Sequence, residues 1–112
     1  MVRVGISVEG QTEEIFVKKV LAPYFANKHI YMTPICMNGD VNIDRVASEL
    51  KKISNSFDFM TTFYDFYGFK RIEINETKAS LENKIAQSVN EDIRNRLIPF
   101  VQMYEFEGIL FS

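Results

Sequence analysis

The sequence predicts an α/β fold in which strands and helices alternate around a mainly parallel, four-stranded sheet. The first indication is the alternation of apolar residues at Val2, Val4 and Ile6, which is typical of a strand. The second is that segments with apolar residues every three or four positions follow the strands, as in amphipathic helices. The third is size: 112 residues, 46% of them hydrophobic and 25% charged, are enough for a single domain over residues 1–112. Strand–helix alternation of this kind favours parallel pairing.

The predicted elements follow one another closely. Strands are expected at 2–8, 30–37, 57–64 and 97–103, and a loop at 70–75. Helices are expected at 12–25, with an apolar stripe of Val17, Val20, Leu21 and Tyr24, and at 76–92, with Leu81, Ile85 and Val89 inward. A further helix is expected after Asn42, a good N-cap, with an inward stripe of Ile43, Val46, Leu50 and Ile53. Pro99 predicts that the last strand lies at an edge or begins there. Residues 104–112 predict a helix start of barely two turns, which we interpret as a truncated domain or an apolar C-terminal end that needs a partner.

Composition restricts the classes of function. A net charge of −2 and a pI near 5.4 exclude a broad basic face, so nucleic acid would be met through a local site or a metal. The single cysteine, Cys36, has no internal disulfide partner and predicts a reducing compartment. Without a signal peptide pattern or a long apolar run, the chain is expected to be soluble and cytoplasmic, with no membrane segment.

Acidic residues are expected to gather at one edge of this sheet. In parallel sheets, sites lie beyond the carboxyl ends of the strands, here at 9–10, 38–40 and 65–68. Glu9 ends the first strand, Glu13 lies four residues later in the first helical turn, and Asp65 ends the third strand. Three crowded carboxylates repel one another unless a cation lies between them. The pattern therefore predicts a Mg²⁺ or Mn²⁺ site.

Each of these residues also has a structural interpretation. Glu13 favours the helix dipole without any ligand, and Asp65 is a common choice to cap a turn that contains glycine. Asp40, beside Gly39, is more typical of a turn, whereas Glu9 has no obvious structural role. His29 is expected to be exposed at a helix-to-strand junction. The aromatic run over 57–69 suggests base stacking but is better explained as a buried strand and its turn.

Three segments in order resemble a bacterial family of unknown function with a TOPRIM-like fold, distantly similar to the nucleases of the overcoming-lysogenization-defect group. They are VEGQTEEIFVKKVLAPYF, TTFYDFYGF and IPFVQMYEFEGILFS. The resemblance implies a three-layer α/β/α sandwich and a Mg²⁺ site at the positions of Glu9 and Asp65. In the nuclease group the position of Glu13 also binds metal. The family usually occurs beside ATPase genes in phage-defence or mobile loci, which implies an ATPase partner.

The sequence departs from this pattern twice. Tyr67 stands where the second acid of an Asp-x-Asp pair is expected, and Tyr104 replaces a histidine before Glu105 and Glu107. These two glutamates match acidic positions of the late segment and are candidate metal ligands, although a solvated helix start is their default interpretation.

Three functions are therefore considered. The leading hypothesis is a Mg²⁺-dependent, phosphodiester-cleaving domain with Glu9 and Asp65 as catalytic metal ligands and nucleic acid at the acidic site. The second is a non-catalytic, TOPRIM-like subunit that docks on an ATPase, or an uncharacterised binding module. A homo-oligomer formed through the apolar C-terminal end is a further expectation. The third is a receiver-like phosphoacceptor at Asp65, which expects a lysine after a fifth strand that the sequence does not clearly contain.

Overall fold

Parallel strands form the sheet expected from the sequence. The structure, a computed structural model, describes residues 1–103. Its strands are β1 (Val2–Val8), β2 (Ile30–Cys36), β3 (Phe59–Asp65), β4 (Leu97–Ile98) and β5 (Val101–Gln102). Their order is β2-β1-β3-β4, with β5 also pairing with β3, and every pair is parallel. Val8 lies opposite both Cys36 and Phe63, so the three long strands end at the same edge.

Helical segments connect the strands. Between β1 and β2 lie α1 (Gln11–Phe16), a π-helical turn (Val17–Leu21) and α2 (Ala22–Ala26), which continue one another without a break. The helix α3 (Ile43–Ile53) joins β2 to β3. A 3₁₀ turn (Phe66–Gly68) follows β3, and α4 (Lys78–Gln87) and α5 (Glu91–Asn95) precede β4. The predicted α/β class is confirmed.

Side chains alternate between the two faces of the sheet and form two separate cores. Met60 and Tyr64 of β3 belong to the larger core, with buried residues of α3, α4 and α5. Ile6 and Val8 of β1 belong to a smaller core with Val17 of the π-helical turn. Helices therefore lie on both sides of the sheet, in three layers.

The first helix does not follow the predicted stripe. Val20 and Tyr24, expected to be inward, are 51% and 58% exposed. The cause is the π-helical turn, in which the Ala22 N–H donates to the carbonyl of Val17, five residues earlier. The next residue, Pro23, has no N–H for the ordinary α-helical bond. One extra residue in a turn rotates later side chains by about 100° from the expected phase.

The single helix predicted over 76–92 is two helices. Thr77 caps α4 in a reciprocal capping box with Ser80. The Asn90 side chain accepts from the Ile93 N–H at 2.9 Å and starts α5. Arg94 donates to the carbonyls of Ala86 and Val89, which holds the break closed. Leu81, Ile85 and Val89 are nevertheless buried, as predicted.

The strand predicted over 97–103 is interrupted at Pro99. Its two parts, β4 and β5, both pair with β3, which confirms the edge position. Between them, the Thr62 hydroxyl both donates to the Phe100 carbonyl and accepts from the Phe100 N–H, each at 2.8 Å. A buried side chain thus replaces the ladder bonds lost at the interruption.

Other local predictions agree with the structure. The Asn42 side chain accepts from the Arg45 N–H at 3.1 Å, so it caps α3. Residues 70–75 contain neither helix nor strand. The third strand, expected at 57–64, begins and ends slightly later, at Phe59–Asp65. The predictions for Glu105, Glu107 and the apolar end lie outside the described residues. Within residues 1–103, no helix has the length and apolar character needed to cross a membrane.

Candidate acidic site at the strand ends

The end of β1 and the loop after β2 meet at the backbone of Glu9. The carbonyl of Glu9 accepts from the Gly39 N–H at 2.8 Å, which joins the β1 end to the β2–α3 loop. The Cys36 thiol lies 4.0 Å from the same carbonyl and 3.3 Å from Asn38 Oδ1. These contacts bring together two of the three strand-end loops that the sequence singles out.

The Glu9 side chain turns toward the loop that follows β3 and contacts Gly68. A Cβ built on Gly68 lies 2.6 Å from Glu9 Oε1 and 2.8 Å from Oε2, closer than side chains approach one another. Glycine is therefore required if the carboxylate is to occupy this position. The carboxylate oxygen Oε1 is buried and has no hydrogen-bond partner among the described residues. An unpaired buried carboxylate oxygen is rare in proteins and destabilises the fold.

The electrostatic surroundings of Glu9 are unfavourable to its negative charge. Burial raises the pKa of the Glu9 carboxyl above its ordinary value, and the nearby charges of Glu13 and Asp65 raise it further. The backbone N–H of Asp65 and the positive charge of Lys70 lower the pKa and compensate in part. The three carboxylates singled out by the sequence thus interact electrostatically.

Glu13 approaches this group from the first turn of α1. One of its carboxylate oxygens, Oε2, lies 3.5 Å from the position that a Cβ on Gly10 would occupy, so its side chain leans back toward the β1 end. Gly10 is the N-cap residue, with extended backbone and no capping side chain. A negative charge in the first helical turn is also favourable to the helix dipole, so the structural interpretation of Glu13 holds beside the functional one.

Asp65 has the capping role that was its alternative interpretation. Its Oδ1 accepts from the Tyr67 N–H at 3.1 Å and so begins the 3₁₀ turn. Within residues 1–103, no hydrogen bond is formed by the other oxygen, Oδ2. The carboxylate is partly buried, and it acts electrostatically on Glu9. One oxygen of Asp65 is thus used by the turn, and the other is not.

The carboxylate oxygens of this site are of the kind that binds a hard divalent cation. Carboxylate oxygens are the ligands that Mg²⁺ prefers, and Glu9 Oε1 has no hydrogen-bond partner within residues 1–103. In the described part of the chain, no three His, Cys, Asp or Glu side chains are grouped so that they would hold a metal ion by themselves. Mg²⁺, however, is commonly held by one or two carboxylates, with water or phosphate oxygens completing its shell.

The β2–α3 loop forms one wall of the site. Asn38, Gly39 and Asp40 all have positive φ angles, of 60°, 83° and 57°. The Arg45 guanidinium holds this strained loop through bonds to the carbonyls of Met37, Gly39 and Asp40 at 2.6–3.1 Å. Asp40 therefore has the turn role favoured for it by the sequence.

Two neighbours of Glu9 were not identified from the sequence. Gly68 was noted only as a turn residue, because its contact with Glu9 depends on the pairing of β1 with β3. Lys70, whose charge acts on Glu9, follows Gly68 in an irregular loop and has no motif that would have marked it. His29 lies at the helix-to-strand junction as expected, is exposed, and has a φ of 62°.

The molecule is thus a parallel α/β domain with a partly buried acidic group at the carboxyl edge of its sheet. The family model for the domain of unknown function DUF4276 matches residues 8–112, and the chain belongs to this family. No curated protein and no solved structure matches the chain.

Proposed function

We propose that this domain is a Mg²⁺-dependent, phosphodiester-cleaving domain of nuclease type. The observation that carries the proposal is the Glu9 carboxylate, which lies against Gly68. One of its oxygens is buried with no hydrogen-bond partner among residues 1–103, and two further carboxylates act on it electrostatically. Such a group is stabilised by a cation, and a phosphodiester is the anionic substrate that a cation at an acidic site would admit. The resemblance of three segments to a bacterial family of unknown function with a TOPRIM-like fold, distantly similar to nucleases, favours the same function.

Glu9 and Asp65 are the proposed metal ligands. Asp65 would use its Oδ2 while Oδ1 maintains the cap of the 3₁₀ turn. When bound, Mg²⁺ neutralises charge on a phosphodiester and lowers the pKa of a coordinated water. Glu13, which leans toward the same edge, would orient a water or accept a proton from it. Glu105 and Glu107 are proposed as additional ligands on the basis of the resemblance alone.

Metal binding and cleavage are tested separately. Titration of the metal-free chain with Mn²⁺ in a calorimeter is expected to give binding that Glu9→Gln removes. Nicking of supercoiled plasmid is expected to require Mg²⁺ and to be lost in Glu9→Gln and Asp65→Asn. Asparagine keeps an acceptor for the Tyr67 N–H, so Asp65→Asn removes the charge but not the cap.

Glu14→Gln, in the same helical turn as Glu13, is the control and is expected to bind Mn²⁺ and nick plasmid as the unsubstituted chain does. Absence of Mn²⁺ binding by the unsubstituted chain would exclude the proposal.

A second candidate is a non-catalytic subunit that docks on an ATPase. Two observations favour it: Tyr67 occupies the place of a second acid, and residues 1–103 contain no preformed group of three metal ligands. Co-purification with an ATPase encoded beside this chain, together with unchanged biological activity of Glu9→Gln, would select this function over the nuclease.

A further inference from the structure

The turn that contacts Glu9 also presents an exposed aromatic ring. Of the aromatic side chains over 57–69, most are buried or partly buried, and Tyr64, Phe66 and Phe69 belong to the larger core. Tyr67 is different, because 69% of it is exposed. Phe59 is also exposed, at 45%, but it begins β3 and therefore lies at the opposite end of that strand from the acidic group. Tyr67 is thus the exposed ring at the site end of β3.

The backbone of Tyr67 is held firmly at both ends of its turn. Asp65 accepts from the Tyr67 N–H, and the Phe69 N–H donates to the Phe66 carbonyl at 3.3 Å. Phe66 and Phe69, on either side, are 8% and 5% exposed and anchor the turn in the core. The Phe66 ring lies 5.3 Å from the Tyr67 ring at 79°, an edge-to-face contact that leaves much of Tyr67 accessible.

Cationic side chains follow directly after this turn. Lys70 and Arg71 are exposed, and together with Asn42 and Asp44 they line a cavity of about 160 Å³. Arg71 lies 3.9 Å from the Asp44 carboxylate in an exposed ion pair, whereas no ion pair or hydrogen bond of the Lys70 ammonium occurs within residues 1–103. The Lys70 N–H donates to the Val41 carbonyl at 2.8 Å, which fixes its backbone beside the site.

We propose that the substrate of the acidic site is single-stranded nucleic acid, with one base stacked on Tyr67 and an adjacent phosphate held by Lys70. This inference rests on the proposed function and specifies its substrate class. An exposed, rigidly held ring can stack on any base, and an exposed ammonium can neutralise a phosphate. The six residues from Asp65 to Lys70 thus contain one carboxylate of the acidic group, the exposed ring and the cation.

A duplex fits this surface less well than a single strand. In a duplex both faces of each internal base are stacked, so Tyr67 would find no free face. Duplex binding also depends on many phosphate contacts, while this chain has 13 basic and 15 acidic residues and a net charge of −2. A single strand requires only a few cations together with an aromatic platform.

The test measures binding apart from cleavage. Fluorescence anisotropy of a short fluorescein-labelled oligothymidine is recorded with the full chain, with Ca²⁺ as a divalent ion that supports binding without turnover. Tyr67→Ala is expected to weaken binding about fivefold or more, while Tyr67→Phe retains it, because stacking needs the ring and not the hydroxyl. Lys70→Gln is expected to reduce the dependence of log affinity on log salt concentration by about 0.7.

Tyr24→Ala is the matched control. Tyr24 is 58% exposed and contacts Phe25 edge to face at 5.1 Å, so its environment resembles that of Tyr67. It lies near the C-terminal end of α2, which leads into the start of β2 and is therefore at the opposite end of the sheet. Tyr24→Ala is expected to leave oligonucleotide affinity unchanged.

The outcomes separate this inference from the function on which it rests. Equal affinity of Tyr67→Ala and the unsubstituted chain, or equal affinity for the single strand and its duplex, would overturn the inference even if Mn²⁺ binding and nicking are intact. Loss of Mn²⁺ binding in the unsubstituted chain would instead overturn the proposed function. Unchanged thermal unfolding of Tyr67→Ala, expected for an exposed side chain, shows that any loss of affinity does not come from unfolding.

Discussion

The Glu9 carboxylate lies where its charge destabilises the fold. Its Oε1 atom is buried and has no hydrogen-bond partner in the part of the chain that the structure describes, and burial together with Glu13 and Asp65 raises the pKa of the carboxyl. A carboxyl whose pKa is raised on folding stabilises the folded state while it is protonated. That stabilisation is lost as the pH increases from the unfolded-state pKa through the folded-state pKa. At neutral pH, Glu9 therefore lowers stability, as is common for groups kept for function.

Glu9→Gln is accordingly expected to raise the melting temperature in metal-free buffer at about pH 8. Because Glu9 is only half-buried, solvent screens its charge, and the expected gain in the free energy of unfolding is about 0.5 kcal/mol. This corresponds to about 2–4 °C for a chain of this size. The difference is expected to shrink as the pH falls through the raised pKa of Glu9, below which the glutamate is protonated as well. Thermal unfolding followed by circular dichroism across this pH range measures it.

Glu14→Gln provides the comparison for this prediction. Glu14 lies in the same helical turn as Glu13 but forms only an exposed ion pair with Lys18, at 3.9 Å. Its removal is expected to change stability little at any pH. Equal melting temperatures of Glu9→Gln and the unsubstituted chain at about pH 8 would contradict the assignment of an unfavourable charge to Glu9.

Gly68→Ala tests the contact between the two strand ends. The new Cβ would lie 2.6 Å from Glu9 Oε1, and the carboxylate, as the end of a flexible side chain, can swing away. We therefore expect nearly unchanged stability but Mn²⁺ affinity weakened by about tenfold or more, as when a ligand loses its support. In a Glu9→Ala background, Gly68→Ala is expected to have no further effect. Additive losses in the double variant would show that Gly68 acts through something other than Glu9.

At the scale of the element, a side chain maintains the interrupted edge of the sheet. The Thr62 hydroxyl makes two bonds to the backbone of Phe100, beside Pro99, and Thr62 is 1% exposed. Its neighbour Thr61 makes one bond, to the Ile98 carbonyl at 2.7 Å, in a more exposed position. Both threonine hydroxyls thus bond to backbone groups of the neighbouring segment, Thr62 at a buried position and Thr61 at a more exposed one.

Thr62→Val keeps the shape of the side chain but removes both bonds. It is expected to lower the free energy of unfolding by about 1–3 kcal/mol, because two hydrogen bonds, each contributing about 0.5–1.5 kcal/mol, are lost at the buried Thr62 position. Thr61→Val is expected to cost about 0.5 kcal/mol or less, since water can replace its single bond. Urea denaturation of the two variants measures both values. A loss for Thr61→Val as large as that for Thr62→Val would contradict the bridging role.

The elements differ in how far their sequence predicts them. Asn42 signals the start of α3, and the structure agrees because the cap is a local interaction. Asn90, followed by Glu91 and Asp92, carries the same kind of signal for α5. The apolar spacing over 76–92 nevertheless continues across Asn90, and so it favours a single helix. The π-helical turn before Pro23 has no comparable signal, since periodicity assumes a regular helix. The exposure of Val20 and Tyr24 was therefore not predictable.

At the scale of the whole molecule, the carboxyl edge of the sheet was predictable and the contacts across it were not. Strand–helix alternation indicates a parallel sheet, and a parallel sheet places Glu9 and Asp65 at the same edge. The contact of Glu9 with Gly68 requires the register of β1 on β3, in which Val8 lies opposite Phe63. Register comes from packing of the whole sheet, which local patterns do not specify.

The two faces of the sheet are covered unequally. The face with Met60 and Tyr64 is covered by α3, α4 and α5. On the opposite face the helical segment over 11–26 lies mainly against β2, and its Val17 packs on Ile6 and Val8 of β1. A groove of about 510 Å³ remains there, lined by apolar residues that include Val4, Phe59 and Ile98. Phe59 and Ile98 are 45% and 68% exposed, and in the described part of the chain no element covers them.

This groove is expected to bind the hydrophobic dye ANS in the folded protein, because apolar surface of this extent is accessible. Ile98→Lys introduces a charge into the groove at a position that is already largely exposed, so it is expected to lower ANS fluorescence with little change in melting temperature. Ile74→Lys is the matched control, since Ile74 is fully exposed in the loop before α4 and does not line the groove. Equal ANS fluorescence of Ile98→Lys and Ile74→Lys would show that the dye does not bind at this face. Absence of dye binding by the unsubstituted chain would mean that the face is covered in solution.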